Sequence, residues 1–145
     1  MNLSLLVLFA TTACIQNVRC DDCSPLFKAI KRNDENLVRQ LLANGADTSQ
    51  TCGYSRETPL IMAARNDNLN MVKILLPKSD AKMADSDGWT ALMMAASGDN
   101  LNMVKILLPK SDVKATNKRG QSALDLATDN EVIRLIQQYI QSHIP

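Results

Sequence analysis

Apolar positions in this chain follow a helical spacing that breaks and restarts. Leu60, Ala63 and Ala64 stand at i, i+3 and i+4, and after a polar break Leu69, Val72, Leu75 and Leu76 resume the spacing. Each run spans only a few turns, so the pattern predicts pairs of short helices. The pairs recur. Residues 67–82, DNLNMVKILLPKSDAK, return as residues 99–114, DNLNMVKILLPKSDVK, at an offset of 32 with one change, Ala81 against Val113. A period of this length marks small supersecondary units that cannot bury their own apolar face and must stack on their neighbours. Such an array favours the presentation of a surface over a pocketed enzyme.

The flanks keep the same offset. ETPLIMAA at residues 57–64, WTALMMAA at 89–96 and QSALDLA at 121–127 line up, and SPLFKAI at 24–30 is an earlier, more divergent copy at an offset of 34. The additional residues fall at Gly45-Ala46-Asp47 and in the polar stretch 50–56, which places loops there. Thr58, Thr90 and Ser122 stand where an N-cap hydroxyl accepts from the first free N–H groups. Pro25 and Pro59 fall at the first helical position, where no N–H is missed. Pro77 and Pro109 stand at or just beyond the end of the second helix, since an interior proline would cost about 3 kcal/mol. Residues 82–88 and 114–120 are polar and turn-rich, with Asp87-Gly88 and Arg119-Gly120 marking the turn back into the next unit.

With these elements in place the chain resembles the ankyrin repeats. The helix opening T-P-L-H-x-A-A is matched by Thr58-Pro59-Leu60-Ile61-Met62-Ala63-Ala64 and, with Ala91 for proline, by Thr90 to Ala96. The second-helix signature ending in G-A-D is matched by residues 37–47. The resemblance covers roughly residues 24–142. It implies an all-α solenoid of about four stacked helix-turn-helix units, near 24–57, 58–89, 90–121 and 122–144, joined by β-hairpin-like loops. Two departures stand out. The histidine position is filled by Phe27, Ile61, Met93 and Asp125, so the usual histidine hydrogen bonds between repeats cannot be carried over. The last unit lacks four residues between its helices and reads as a terminal cap, with Gln137, Gln138, Gln141 and Ser142 facing water.

Small and aliphatic residues do the packing, because aromatics make up only 3% of the chain. Met62 and Met94 are assigned to the core, Ile61 and Met93 to a partly exposed position, and Lys73 and Lys105 to a solvated face. The N-terminal segment differs in kind. Residues 3–15 are dominated by apolar side chains, a run that suits the core of a secretory signal peptide and falls short of the roughly 20 residues of a membrane span. The expected layout is a signal segment over residues 1–20, cleaved after Cys20, and a repeat domain over 21–145. The rivals are a buried capping helix, a retained anchor, and a bacterial lipoprotein site at Cys14. Export makes the protein secreted or periplasmic, with membrane attachment only if Cys14 carries lipid.

Export would leave Cys23 and Cys52 as an even pair in an oxidising compartment. A bridge between them would close a loop of about 30 residues and stabilise by roughly 3–4 kcal/mol. Catalysis is poorly supported, since the one histidine, His143, has no plausible nucleophile and orienting acid around it. No cofactor, metal or small-molecule substrate is expected. Asp85-Ser86-Asp87-Gly88 resembles the start of a calcium loop without its remaining oxygen ligands, and reads as a turn. Lys+Arg of 16 against Asp+Glu of 15 gives +1, too little to draw nucleic acid.

The remaining function is recognition of a protein partner. Because the helix cores are nearly copied, divergence between the copies singles out the presented residues. Tyr54, Ser55 and Glu57 correspond to Ser86, Asp87 and Trp89 and to Lys118, Arg119 and Gln121; Arg65 corresponds to Ser97. Trp89, with Tyr54 and Arg119 on either side, is the expected anchor. An immunity-type inhibitor that neutralises a toxin or enzyme, and a lipid-anchored envelope protein, are the alternatives.

Overall fold

The computed structural model describes residues 24–144, and its helices come in pairs. They are α1 (Pro25–Lys31) with α2 (Glu35–Ala43), α3 (Pro59–Arg65) with α4 (Leu69–Leu75), α5 (Ala91–Ser97) with α6 (Leu101–Leu107), and α7 (Ala123–Leu126) with α8 (Asn130–His143). A single 3-10 turn follows α4 at Leu76–Lys78 and α6 at Leu108–Lys110, so Pro77 and Pro109 end their helices as the pattern requires.

First helices pack on first helices, α1 on α3, α3 on α5 and α5 on α7, and second helices form a parallel row behind them. The first helices are therefore enclosed on nearly every side. In α3 every residue from Pro59 to Ala64 is buried, and in α5 every residue from Ala91 to Ala96 except the half-buried Met94. This corrects the sequence assignment. Ile61 and Met93 are 1% exposed, and with Phe27 they line up as apolar fillers where the family carries histidine. A single apolar stripe describes a helix with one covered face; a helix sandwiched between neighbours is apolar all round.

The predicted caps form. Thr58 Oγ1 accepts from the Ile61 N–H at 3.2 Å, Thr90 Oγ1 from Met93 at 3.3 Å, and Ser122 with Asp125 completes a reciprocal capping box. The second helices are capped by Asp34, Asn68, Asn100 and Asp129, residues the sequence reading did not single out. The short α7 and the long α8 give the final unit its distinct form, and Gln137, Gln138, Gln141 and Ser142 on α8 are exposed.

The helix-to-helix turns carry a second device. Asn33, Asp67 and Asp99 adopt left-handed backbone, with φ of 57°, 57° and 51°, which short polar side chains tolerate. Each reaches the second-helix cap of the following unit. Asn68 Nδ2 donates to Asn33 Oδ1, Asn100 Nδ2 donates to Asp67 Oδ1 at 2.6 Å, and Asp99 accepts from the Thr128 and Asp129 N–H groups at 2.9 and 2.8 Å and from the Thr128 hydroxyl. A polar ladder thus ties consecutive units together in the absence of the histidine.

Candidate interaction surface

Between units the chain makes tight hairpins, each closed by one antiparallel bridge: Cys52 with Glu57, Ala84 with Thr90, and Thr116 with Ser122. The second and third share one construction. Asp85 Oδ1 accepts from the Asp87 and Trp89 N–H groups, both at 2.9 Å, and Asn117 Oδ1 accepts from Arg119 at 2.9 Å and Gln121 at 3.0 Å. Asp85 therefore spends its carboxylate on its own loop. Among the described residues no group of three or more His, Cys, Asp or Glu side chains gathers as metal ligands.

Neighbouring tips are bonded to one another. The Ser86 N–H donates to the Ser55 carbonyl at 2.7 Å, and the Lys118 N–H donates to the Asp87 carbonyl at 2.9 Å. The approach is close enough that a Cβ on Gly88 would meet the Asn117 Cα at 3.0 Å, and Gly88 also holds φ of 82°. Three tips are thereby fixed in one ridge. Backbone atoms make the joints and leave the side chains free to differ.

The sequence-selected residues divide along this ridge. Tyr54, Asp87, Lys118 and Arg119 are exposed on the tips, Tyr54 at 88%, and Ser86 is half-buried beside them. Gln121 is half-buried and held by Asn117, whose Nδ2 donates to its Oε1 at 3.2 Å. Arg65 and Ser97 are exposed at the C-terminal ends of α3 and α5.

Two of the selected residues are not free surface. Trp89 is half-buried and packs against the core, its N–H held by Asp85. Glu57 is 4% exposed and pairs with Arg65, Nη1 to Oε1 at 2.8 Å. Burial raises the Glu57 carboxyl above its ordinary value, Arg65 pulls it down and Asp85 pushes it up, with burial dominant. Both were chosen because they differ between copies, and divergence cannot tell a tip from a position that repacks against the next loop. Arg56, passed over in the sequence, is exposed and stands in left-handed backbone with φ of 52°.

Cys14 and Cys23 lie outside the described residues, and with them the lipidation site, the signal segment and the geometry of the bridge. Cys52 is buried at the base of the first hairpin, where its N–H donates to the Glu57 carbonyl at 2.9 Å.

A family model for ankyrin repeats, in three copies, matches residues 3–87 and again residues 60–143. The structure is similar to the ankyrin repeat domain of Bcl-3, described as a unique member of the IkappaB protein family, with a TM-score of 0.72 and 28% identity. That similarity covers 79% of this chain and 51% of the Bcl-3 chain, so this chain spans about half the length of its structural relative. No curated protein matches the chain.

Proposed function

The chain belongs to the ankyrin repeat family, a non-enzymatic interaction fold, and from that premise we propose that it recognises a protein partner along the ridge of hairpin tips. The observation that carries this reading is the backbone bonding from tip to tip, Ser86 to Ser55 and Lys118 to Asp87. A preformed ridge loses little conformational entropy on binding. Its exposed side chains, Tyr54, Asp87, Lys118 and Arg119, differ from tip to tip while the interior beneath is nearly copied. Arg65 and Ser97 extend the same face along the first helices.

The experiment is a quantitative binding titration with a partner isolated by cross-linking from the native compartment, using the wild-type chain and a variant with Tyr54→Ser, Lys118→Ala and Arg119→Ala. Aromatic and arginine side chains dominate interface energies, so the variant should bind at least about 100-fold more weakly with an unchanged circular dichroism spectrum. Retained affinity would move the site off the ridge.

We further propose that the chain is exported, on the strength of the apolar run at residues 3–15, with Cys23 and Cys52 paired in the mature protein. A second reading of the same segment has its own support. The family match begins at residue 3, which favours a helix that belongs to the stack. The intact mass of the protein purified from its source separates the two, since export predicts loss of residues 1–20 and the stacked helix predicts their retention.

A further inference from the structure

The first hairpin is built unlike the other two. Its bridge pairs Cys52 with Glu57 around the four residues Gly53, Tyr54, Ser55 and Arg56, whereas the bridges Ala84 with Thr90 and Thr116 with Ser122 each enclose five. The bridge of the first tip thus closes one residue tighter. At the position where the other hairpins place Asp85 or Asn117 to accept two N–H groups, it has Gly53, which offers no side-chain acceptor.

The last tip position repeats in all three loops in left-handed backbone. Gly88 and Gly120 hold it with φ of 82° and 77°, as expected where Cβ sterics disfavour every other residue type. In the first hairpin the same position is Arg56, with φ of 52°. A bulky residue retained where its siblings have glycine costs stability, and strain of this kind gathers at functional sites. Beside it Tyr54 is the one large hydrophobic side chain that stands fully exposed among the described residues, at 88%. Residues 50–56 contain no acidic side chain, and Arg56 forms no ion pair among the described residues, where the Arg65–Glu57 pair is found instead.

We propose that Tyr54 and Arg56 are the anchoring pair of the partner site and that the segment they hold is acidic. The inference rests on the ridge as the binding surface and names its specificity. A guanidinium presents a planar fork of donors that a carboxylate meets with two parallel bonds, and a neighbouring phenol ring supplies rigid apolar area with one polar end. Lys118 and Arg119 add positive charge at the far tip, so an acidic segment along the ridge meets cations at both ends with Asp87 between them. The strained backbone at Arg56 is the cost of placing the guanidinium there.

The test pans a phage-displayed random peptide library on the full chain, then titrates the selected peptides against wild type, Arg56→Gly, Arg56→Lys, Tyr54→Ser and a Lys118→Ala/Arg119→Ala control. The selected peptides should be enriched in Asp and Glu. Arg56→Gly and Tyr54→Ser should each weaken binding at least about tenfold, and Arg56→Lys about threefold or more because the fork is lost while the charge remains. Arg56→Gly should meanwhile raise the melting temperature by about 2–5 °C, since the strain is relieved at some cost in unfolded-state entropy. Peptides without acidic enrichment, or with affinity unchanged in Arg56→Gly, overturn the anchoring pair. If those peptides still lose affinity in the Lys118→Ala/Arg119→Ala control, the ridge stands without it. Insensitivity to every tip substitution overturns both.

Discussion

Replacing Asn100 by Ala removes two interactions at one residue. Its Oδ1 caps α6 by accepting from the Met103 N–H at 2.9 Å, and its Nδ2 donates to Asp67 Oδ1 of the preceding unit at 2.6 Å. Loss of an Asn cap costs about 1 kcal/mol. The second bond has a charged acceptor, but it lies at the surface where water competes, so its net worth is about 0.5–1.5 kcal/mol. The sum is about 2 kcal/mol, or about 6–10 °C in melting temperature for a folded unit of this size. A double-mutant cycle with Asp67→Gly isolates the bond between repeats. Glycine accepts the left-handed φ of 57° at residue 67, and whatever it does to the turn appears on both arms of the cycle and cancels. Urea unfolding of the four proteins, with a common m-value, should give a coupling energy of about 0.5–1.5 kcal/mol. A coupling near zero would mean that the ladder holds the caps and does nothing to join the units.

Other substitutions probe the remaining parts of the structure. Arg65→Ala should destabilise by about 1–3 kcal/mol in urea unfolding because it leaves the buried Glu57 carboxylate without its partner, whereas Glu57→Gln should be close to neutral; equal losses would contradict a burial-dominated site. Met93→His, which restores the family's residue at a position 1% exposed, should cost about 1–3 kcal/mol, and a neutral result would mean a polar partner waits there. Asp99 is held below its ordinary carboxyl range first by the Thr128 hydroxyl and then by the Asp129 and Thr128 N–H groups. The unfolded chain takes up that proton at higher pH than the folded one. The contribution is therefore complete above the usual aspartate range and is lost as pH falls through the depressed folded value. Asp99→Asn should flatten the acid limb of stability against pH, and Glu57→Gln should steepen it, because the raised Glu57 carboxyl shifts stability in the opposite direction. Urea titrations across the acid range read both, and an acid limb unchanged in Asp99→Asn would remove Asp99 from the account.

The features legible in the sequence are those whose physics is local. Thr58, Thr90 and Ser122 cap because the hydroxyl and the N–H it accepts from are three residues apart, and Pro25 and Pro59 open helices because of their own rings. The repeat offset exposed the stacking, and the family resemblance supplied its form. Less legible were contacts that depend on where the next unit lands. Asn68 and Asn100 look like ordinary polar residues until the stack brings Asn33 and Asp67 beside them. Ile61 and Met93 fall off the i, i+3, i+4 stripe yet are covered because neighbouring helices enclose the first-helix row. Glu57 and Trp89 differ between copies as tip residues do, but one turns inward to Arg65 and the other packs against the core. Arg56 carried a signal that could have been read, since aligning the hairpins at the repeat offset sets it against Gly88 and Gly120.

The central claim is that the nearly copied interior holds the three tips as one binding ridge. The most direct measurement is amide hydrogen exchange of the chain with and without its cross-linked partner. The account predicts slowed exchange across residues 53–56, 86–89 and 118–121 together, with the exposed faces of α2, α4 and α6 unchanged. Protection on those second helices with the tips unaffected would contradict it.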